Sequence, residues 1–143
     1  KYKEKSPFEL SGGQKRAVAI AGVIAMRPEV LILDEPTAGL DPKAHKDILN
    51  MITEVHRRTG NIIILVSHNM GDIAEIADKV IVIDSGKVVT VGSPLEVFSQ
   101  GELLKSVGLD LPPITEFCNA LGIKDTVLDM EDAVGKIVDL IKE

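Results

Sequence analysis

The chain has 143 residues, 45% of them hydrophobic, enough for a packed core built from Ile, Val, Leu and Ala because only four residues are aromatic. The formal net charge of −6 is uneven: residues 1–99 carry 12 basic and 13 acidic side chains, residues 100–143 carry 4 and 9. An acidic tail is the wrong sign for binding nucleic acid, and the shift in charge divides an expected domain over 1–99 from an acidic helical extension over 100–143. The near-apolar run Ala17–Met26 is ten residues long, whereas a membrane span needs about 20. It reads as a buried helix of a soluble protein. The single cysteine, Cys118, permits no internal disulfide and fits a reducing compartment. The chain opens on Lys1 with no visible leader, as expected of a piece cut from something longer.

In chain order, Ser11 with Gln14 three residues on spells a capping box for a helix from Gly12 to Met26. Ala17, Ile20, Ala21 and Ile24 recur as one face of it, and Pro28 ends it. The apolar run Val30–Leu33, closed by Asp34-Glu35-Pro36, reads as a buried strand. Asp41 caps the next helix with Pro42 in its first turn. That helix turns Ile48, Leu49, Ile52 and Val55 inward, carries Arg57 and Arg58 near its negative end, and stops at Gly60. Ile62–Val66 is a second buried strand, and Asn69 caps a short helix through Ala77. Val80–Ile83 and Val88–Val91 form a hairpin with Ser85-Gly86 in its turn. Ser93-Pro94-Leu95-Glu96 is another capping box. Beyond residue 100 come short helices around Ile114–Leu121 and Glu131–Ile141, the latter with Val134, Ile137, Val138 and Ile141 on one stripe. Strands buried on both faces and separated by helices imply an α/β fold with a mostly parallel sheet, its antiparallel edge supplied by the hairpin.

Gly12 and Gly13 open the first helix although glycine costs a helix interior about 1 kcal/mol relative to alanine. Without β-carbons, the free amides at the positive end of that helix can approach a phosphate at contact distance, and Ser11 adds a hydroxyl. On this view neither glycine serves folding, so Gly13→Ala is expected to leave the protein at least as stable. Asp34 and Glu35 leave a buried strand together, an arrangement suited to holding Mg²⁺ with the first acid and acting on water with the second. His68 follows the other strand and is expected at the same sheet edge. Asp41 is explained as a cap alone. His45 and His56, eleven residues apart, read as surface residues, and Cys118 as core.

Taken in order, Leu10-Ser11-Gly12-Gly13-Gln14, Leu31 to Pro36, Ala38-Gly39-Leu40-Asp41 and His68 resemble the ATP-binding cassette ATPases over residues 1 to about 98. The resemblance makes these the signature, the Walker B strand, the D-loop and the switch histidine. It implies a P-loop NTPase fold in which two cassettes sandwich two ATP molecules. Ser11, Gly12, Gly13 and Gln14 of one cassette would then meet the γ-phosphate of the ATP held by the other. It further implies Asp34 on Mg²⁺ through water, Glu35 polarising the attacking water, His68 on the γ-phosphate and Asp41 communicating across the dimer. Within the family, Ser93-Pro94-Leu95-Glu96-Val97-Phe98 followed by an acidic helical extension resembles the energy-coupling-factor ATPases, which power bacterial uptake of vitamins and of cobalt or nickel ions. Membrane-embedded transporter subunits, a second ATPase subunit and a place on the cytoplasmic face of the cell membrane are implied with it, and nucleic acid is not.

One motif of that family is missing. No G-x-x-x-x-G-K-[ST] occurs, since the only Gly-Lys, Gly86-Lys87, precedes Val88 in the hairpin. The chain is therefore expected to be the C-terminal half of a cassette, inactive as an ATPase by itself. Ala17 stands where the family has a basic residue and Asn69 where it often has aspartate. Two other readings remain open: a soluble cassette ATPase of DNA repair or translation, and a non-catalytic dimerisation or regulatory module with the acidic extension as its contact surface.

Overall fold

A computed structural model describes residues 6–142, which divide after Ser67 into two units. In the first, a 3-10 turn (Pro7–Glu9) leads into helix α1 (Gly12–Ile24). Ser11 and Gln14 form the expected capping box: the Ser11 hydroxyl accepts from the Gln14 amide at 3.3 Å, and the Ser11 amide donates to Gln14 Oε1 at 3.1 Å. The helix ends earlier than Met26. Ala25 is its C-cap and Arg27 takes a φ of 52° ahead of Pro28, because the chain before a proline cannot continue as helix. Ile20 is its one buried residue, while Val18, Val23 and Met26 are exposed. The expected buried helix is instead half at the surface, with α2 as its main neighbour.

Strands β1 (Val30–Asp34) and β2 (Ile62–Val66) pair in parallel, with Val30 opposite Ile62 and Asp34 opposite Val66. A parallel pair needs a long crossover, and helix α2 (Pro42–Thr59) supplies it. Asp41 caps α2 through Oδ1, which accepts from the amides of Lys43 at 3.1 Å and Ala44 at 3.0 Å. Gly60 ends it at φ 63°, the left-handed conformation a glycine adopts without a β-carbon penalty. Ile48, Leu49 and Ile52 of α2 join Leu10, Ile20, Leu31 and Leu33 as the buried core of this unit. Burial of the strands on both faces is not what the structure has. Strand periodicity puts Leu31 and Leu33 inward and Val30, Ile32, Ile62, Ile64 and Val66 on the opposite side. All five are exposed, Ile32 by 64% and Ile62 by 62%.

The second unit holds helix α3 (Met70–Ile76), strands β3 (Val80–Asp84) and β4 (Lys87–Gly92), and helices α4 (Pro94–Phe98), α5 (Gly101–Ser106), α6 (Pro113–Ala120) and α7 (Met130–Lys142). Asn69 caps α3, its side chain accepting from Gly71 and Asp72. β3 and β4 form an antiparallel hairpin whose turn residues Ser85 and Gly86 both have positive φ, 48° and 75°, the twist a two-residue turn requires. Ser93 and Glu96 make the predicted box at the start of α4. Val97, Phe98, Leu104, Cys118, Val127 and Ala133 are fully or nearly fully buried, and the Thr115 hydroxyl donates to the Val127 carbonyl inside this core. Lys136 of α7 holds Asp125 at 2.6 Å, and that hydrogen bond keeps the Asp125 carboxyl below its ordinary range. Of the apolar stripe on α7, Ile137 is half-buried while Val134, Val138 and Ile141 are exposed. Among the described residues no helix is long and apolar enough to cross a membrane.

Candidate functional site

The two glycines at the head of α1 turn out to differ. A β-carbon on Gly12 would meet nothing within 4 Å, so this exposed position at the head of α1 is open to solvent. A β-carbon on Gly13 would lie 2.6 Å from the Ala44 β-carbon, a distance real atoms do not reach. Gly13 is therefore needed for the close approach of α1 to the first turn of α2. The expectation that Gly13→Ala costs no stability is corrected on this ground. The same contact sets the starts of the two helices side by side, since the Ala44 amide is one of the two that Asp41 caps. Two positive helix ends are thus adjacent. Ser11 keeps a proton to donate while its oxygen accepts from Gln14, because a hydroxyl can do both.

Asp34 is exposed at the end of β1, and Glu35 follows half-buried. Glu35 has a φ of 46°, in the left-handed region where a non-glycine residue costs on the order of 1–3 kcal/mol and must be held by its surroundings. It is held from three sides. Its amide donates to the Val66 carbonyl at 2.9 Å, and its carbonyl accepts from the Ala38 amide at 3.3 Å. The third contact comes from Arg16 on α1, whose Nη1 donates to the Glu35 carbonyl at 2.5 Å. Sequence reasoning missed Arg16: the pair is 19 residues apart and joins a side chain to a backbone oxygen, which leaves no pattern in the sequence.

The first unit thus brings Ser11, Gly12, Gly13, Gln14 and Asp41 to two adjacent helix starts, and ties the Asp34-Glu35 strand end to the same α1 through Arg16. His68 is exposed, stands two residues past β2, and opens the second unit. Among the described residues no group of three or more His, Cys, Asp and Glu side chains could hold a metal. The Asp34-Glu35 pair therefore does not fit a cation caged wholly by protein. It does fit Mg²⁺ held by one or two carboxylates, with water and phosphate completing its shell.

Fold and sequence comparison agree on the class, which is that of the ATP-binding cassette ATPases. A solved structure described as cbiO1 from Clostridium perfringens, part of the ABC transporter complex cbiONQ, matches with a TM-score of 0.65 and 43% identity, over 82% of this chain and 47% of that one. Within the class, the chain belongs by sequence with the energy-coupling factor transporter ATP-binding proteins. It is 54% identical to the EcfA2 protein of Caldanaerobacter subterraneus subsp. tengcongensis over 97% of its length, and 51% identical to that of Clostridium perfringens over 99%. It spans about half the length of these relatives, 50% and 51%. A family model described as AAA domain, putative AbiEii toxin, Type IV TA system, matches residues 2–71. That stretch runs from before the signature to the start of α3, just under half of the chain.

Proposed function

We propose that the chain is the C-terminal half of the ATP-binding subunit of a bacterial importer of the energy-coupling-factor type. The observation that carries this reading is the near-50% identity over almost the whole chain to proteins of that name, with the ordered motifs on the elements just described. In the complete protein, two ATPase subunits would close on ATP at the cytoplasmic face of the membrane and drive integral membrane subunits. Cobalt, nickel or a vitamin is the cargo class, chosen by the membrane partners. The acidic extension would add to the dimer contact, a role supported by the exposed Val134, Val138 and Ile141 on α7.

In this reading the amide of the exposed Gly12 and the Ser11 hydroxyl bind the γ-phosphate of the ATP held by the partner, where the paired helix starts favour an anion. Asp34 takes the Mg²⁺ side through water, and Mg²⁺ when bound there supplies neutralisation of phosphate charge. Glu35 orients and polarises the attacking water, and His68 holds the γ-phosphate. Asp41 both caps α2 and relays closure across the dimer. No protein group becomes covalently attached, so catalysis is positioning plus electrostatics.

The test is Glu35→Gln in the full-length protein. ATP binding should be retained while hydrolysis falls by about a hundredfold or more, because the carboxylate acts on water in the transition state and adds little ground-state affinity. His68→Ala should likewise lower the rate more than the affinity. Loss of ATP binding with a modest loss of rate would remove Glu35 from this role.

A further inference from the structure

Arg16 holds the backbone carbonyl of Glu35, and it reaches across from α1, the helix that Ser11 and Gly12 open. We infer that Arg16 is a positioning residue for the reaction: it locks Glu35 in the left-handed conformation from which the carboxylate is aimed. This rests on Glu35 acting on water, as proposed above.

The physical argument starts from the backbone. At φ 46° a glutamate sits outside its preferred basins, so an extended conformation is always available to it and would redirect the side chain. The Val66 carbonyl fixes only the amide side of the residue, and the Ala38 amide is a 3.3 Å contact from a neighbouring turn. The guanidinium contact is shorter, charge-assisted and half-buried, and so is the stronger of these two bonds to the carbonyl. It also comes from a different element: α1 carries Ser11 and Gly12 on its first turn and Arg16 on its second. A shift of α1 on taking a phosphate therefore moves the donor that holds Glu35. The neighbouring position where the family has a basic residue is Ala17 here, leaving Arg16 as the guanidinium on this turn.

The experiment compares Arg16→Met, Arg16→Lys and Glu35→Gln in the full-length protein, measuring kcat, KM for Mg·ATP, ATP-dependent dimerisation and melting temperature. Arg16→Met keeps the aliphatic stem and removes every donor, so kcat should fall about tenfold to a hundredfold, as for a misaimed catalytic group, with KM and dimerisation within about twofold. Arg16→Lys retains one charged donor and should recover most of the rate. In the Glu35→Gln background, Arg16→Met should lower the residual rate no further. If Glu35→Gln abolishes hydrolysis while Arg16→Met leaves kcat unchanged, the inference about Arg16 is wrong and the role of Glu35 stands. If Arg16→Met lowers kcat, ATP affinity and melting temperature together and Arg16→Lys does not rescue, Arg16 is structural only. If Glu35→Gln hydrolyses normally, the role of Glu35 itself falls.

Discussion

Two adjacent glycines that look alike in sequence have different physical duties. Gly12 faces open space, and Gly13 lies where α1 touches α2. Alanine at Gly12 gains helix propensity, up to about 1 kcal/mol, and meets no neighbour. Alanine at Gly13 forces its methyl against Ala44, an overpacking that typically costs about 1–3 kcal/mol. In the full-length protein, Gly12→Ala should therefore melt at or above the wild-type temperature and yet hydrolyse ATP poorly, since a methyl stands between the amide and the partner's phosphate. Gly13→Ala should lose stability and activity together. Thermal melting and ATPase rates on the two variants separate a phosphate-facing glycine from a packing one. Full activity of a stabilised Gly12→Ala protein would reduce that glycine to an ordinary helix start.

At the scale of elements, Asp41 shows how a cap and a relay can share one side chain. Its Oδ1 accepts from two first-turn amides of α2, so Asp41→Ala should cost about 1 kcal/mol of stability. Asn caps as well as Asp, so Asp41→Asn should leave the melting temperature unchanged. If Asp41 also relays closure, Asp41→Asn will still lower the ATPase rate of the dimer; an unaltered rate confines it to capping. The same locality explains what the sequence reveals and what it hides. Helix starts at Ser11, Asp41, Asn69 and Ser93, and the Ser85-Gly86 turn, are fixed by hydrogen bonds or φ values within a few residues, and each is legible. Helix α5 is not, because Gln100 makes no side-chain cap and the segment carries no start signal. The motif residues stand in the sequence in the order the family has them, whereas the Gly13–Ala44 contact and the Arg16–Glu35 bond depend on tertiary placement. The exposure of one face of β1 and β2 is hidden for a related reason: an apolar run says that a strand wants cover, and only the fold says whether cover is there.

For the molecule as a whole, the exposed face of β1 and β2 is the feature that bears most on the proposed half-subunit. Val30, Ile32, Ile62, Ile64 and Val66 remain roughly half exposed or more. Covering them would contribute on the order of 10 kcal/mol, at about 25 cal/mol per Å², which is comparable to the whole stability of a small domain. The isolated 143-residue chain should therefore self-associate and, without a phosphate-loop motif, show no Mg·ATP turnover, while on the proposed reading the full-length protein should bury this face. Ile64→Lys tests this through a reversal of sign. In the isolated chain the lysine replaces an exposed apolar side chain, so sedimentation should show less self-association. In the full-length protein the same ammonium lands in an apolar interface without a partner, and burying an unpaired charge is strongly unfavourable. There the melting temperature should drop sharply and ATPase activity should be lost with it. Ile64→Lys tolerated in both contexts would mean the face stays open in the complete protein. Turnover by the isolated chain, abolished by Glu35→Gln, would mean the segment needs no further half to catalyse.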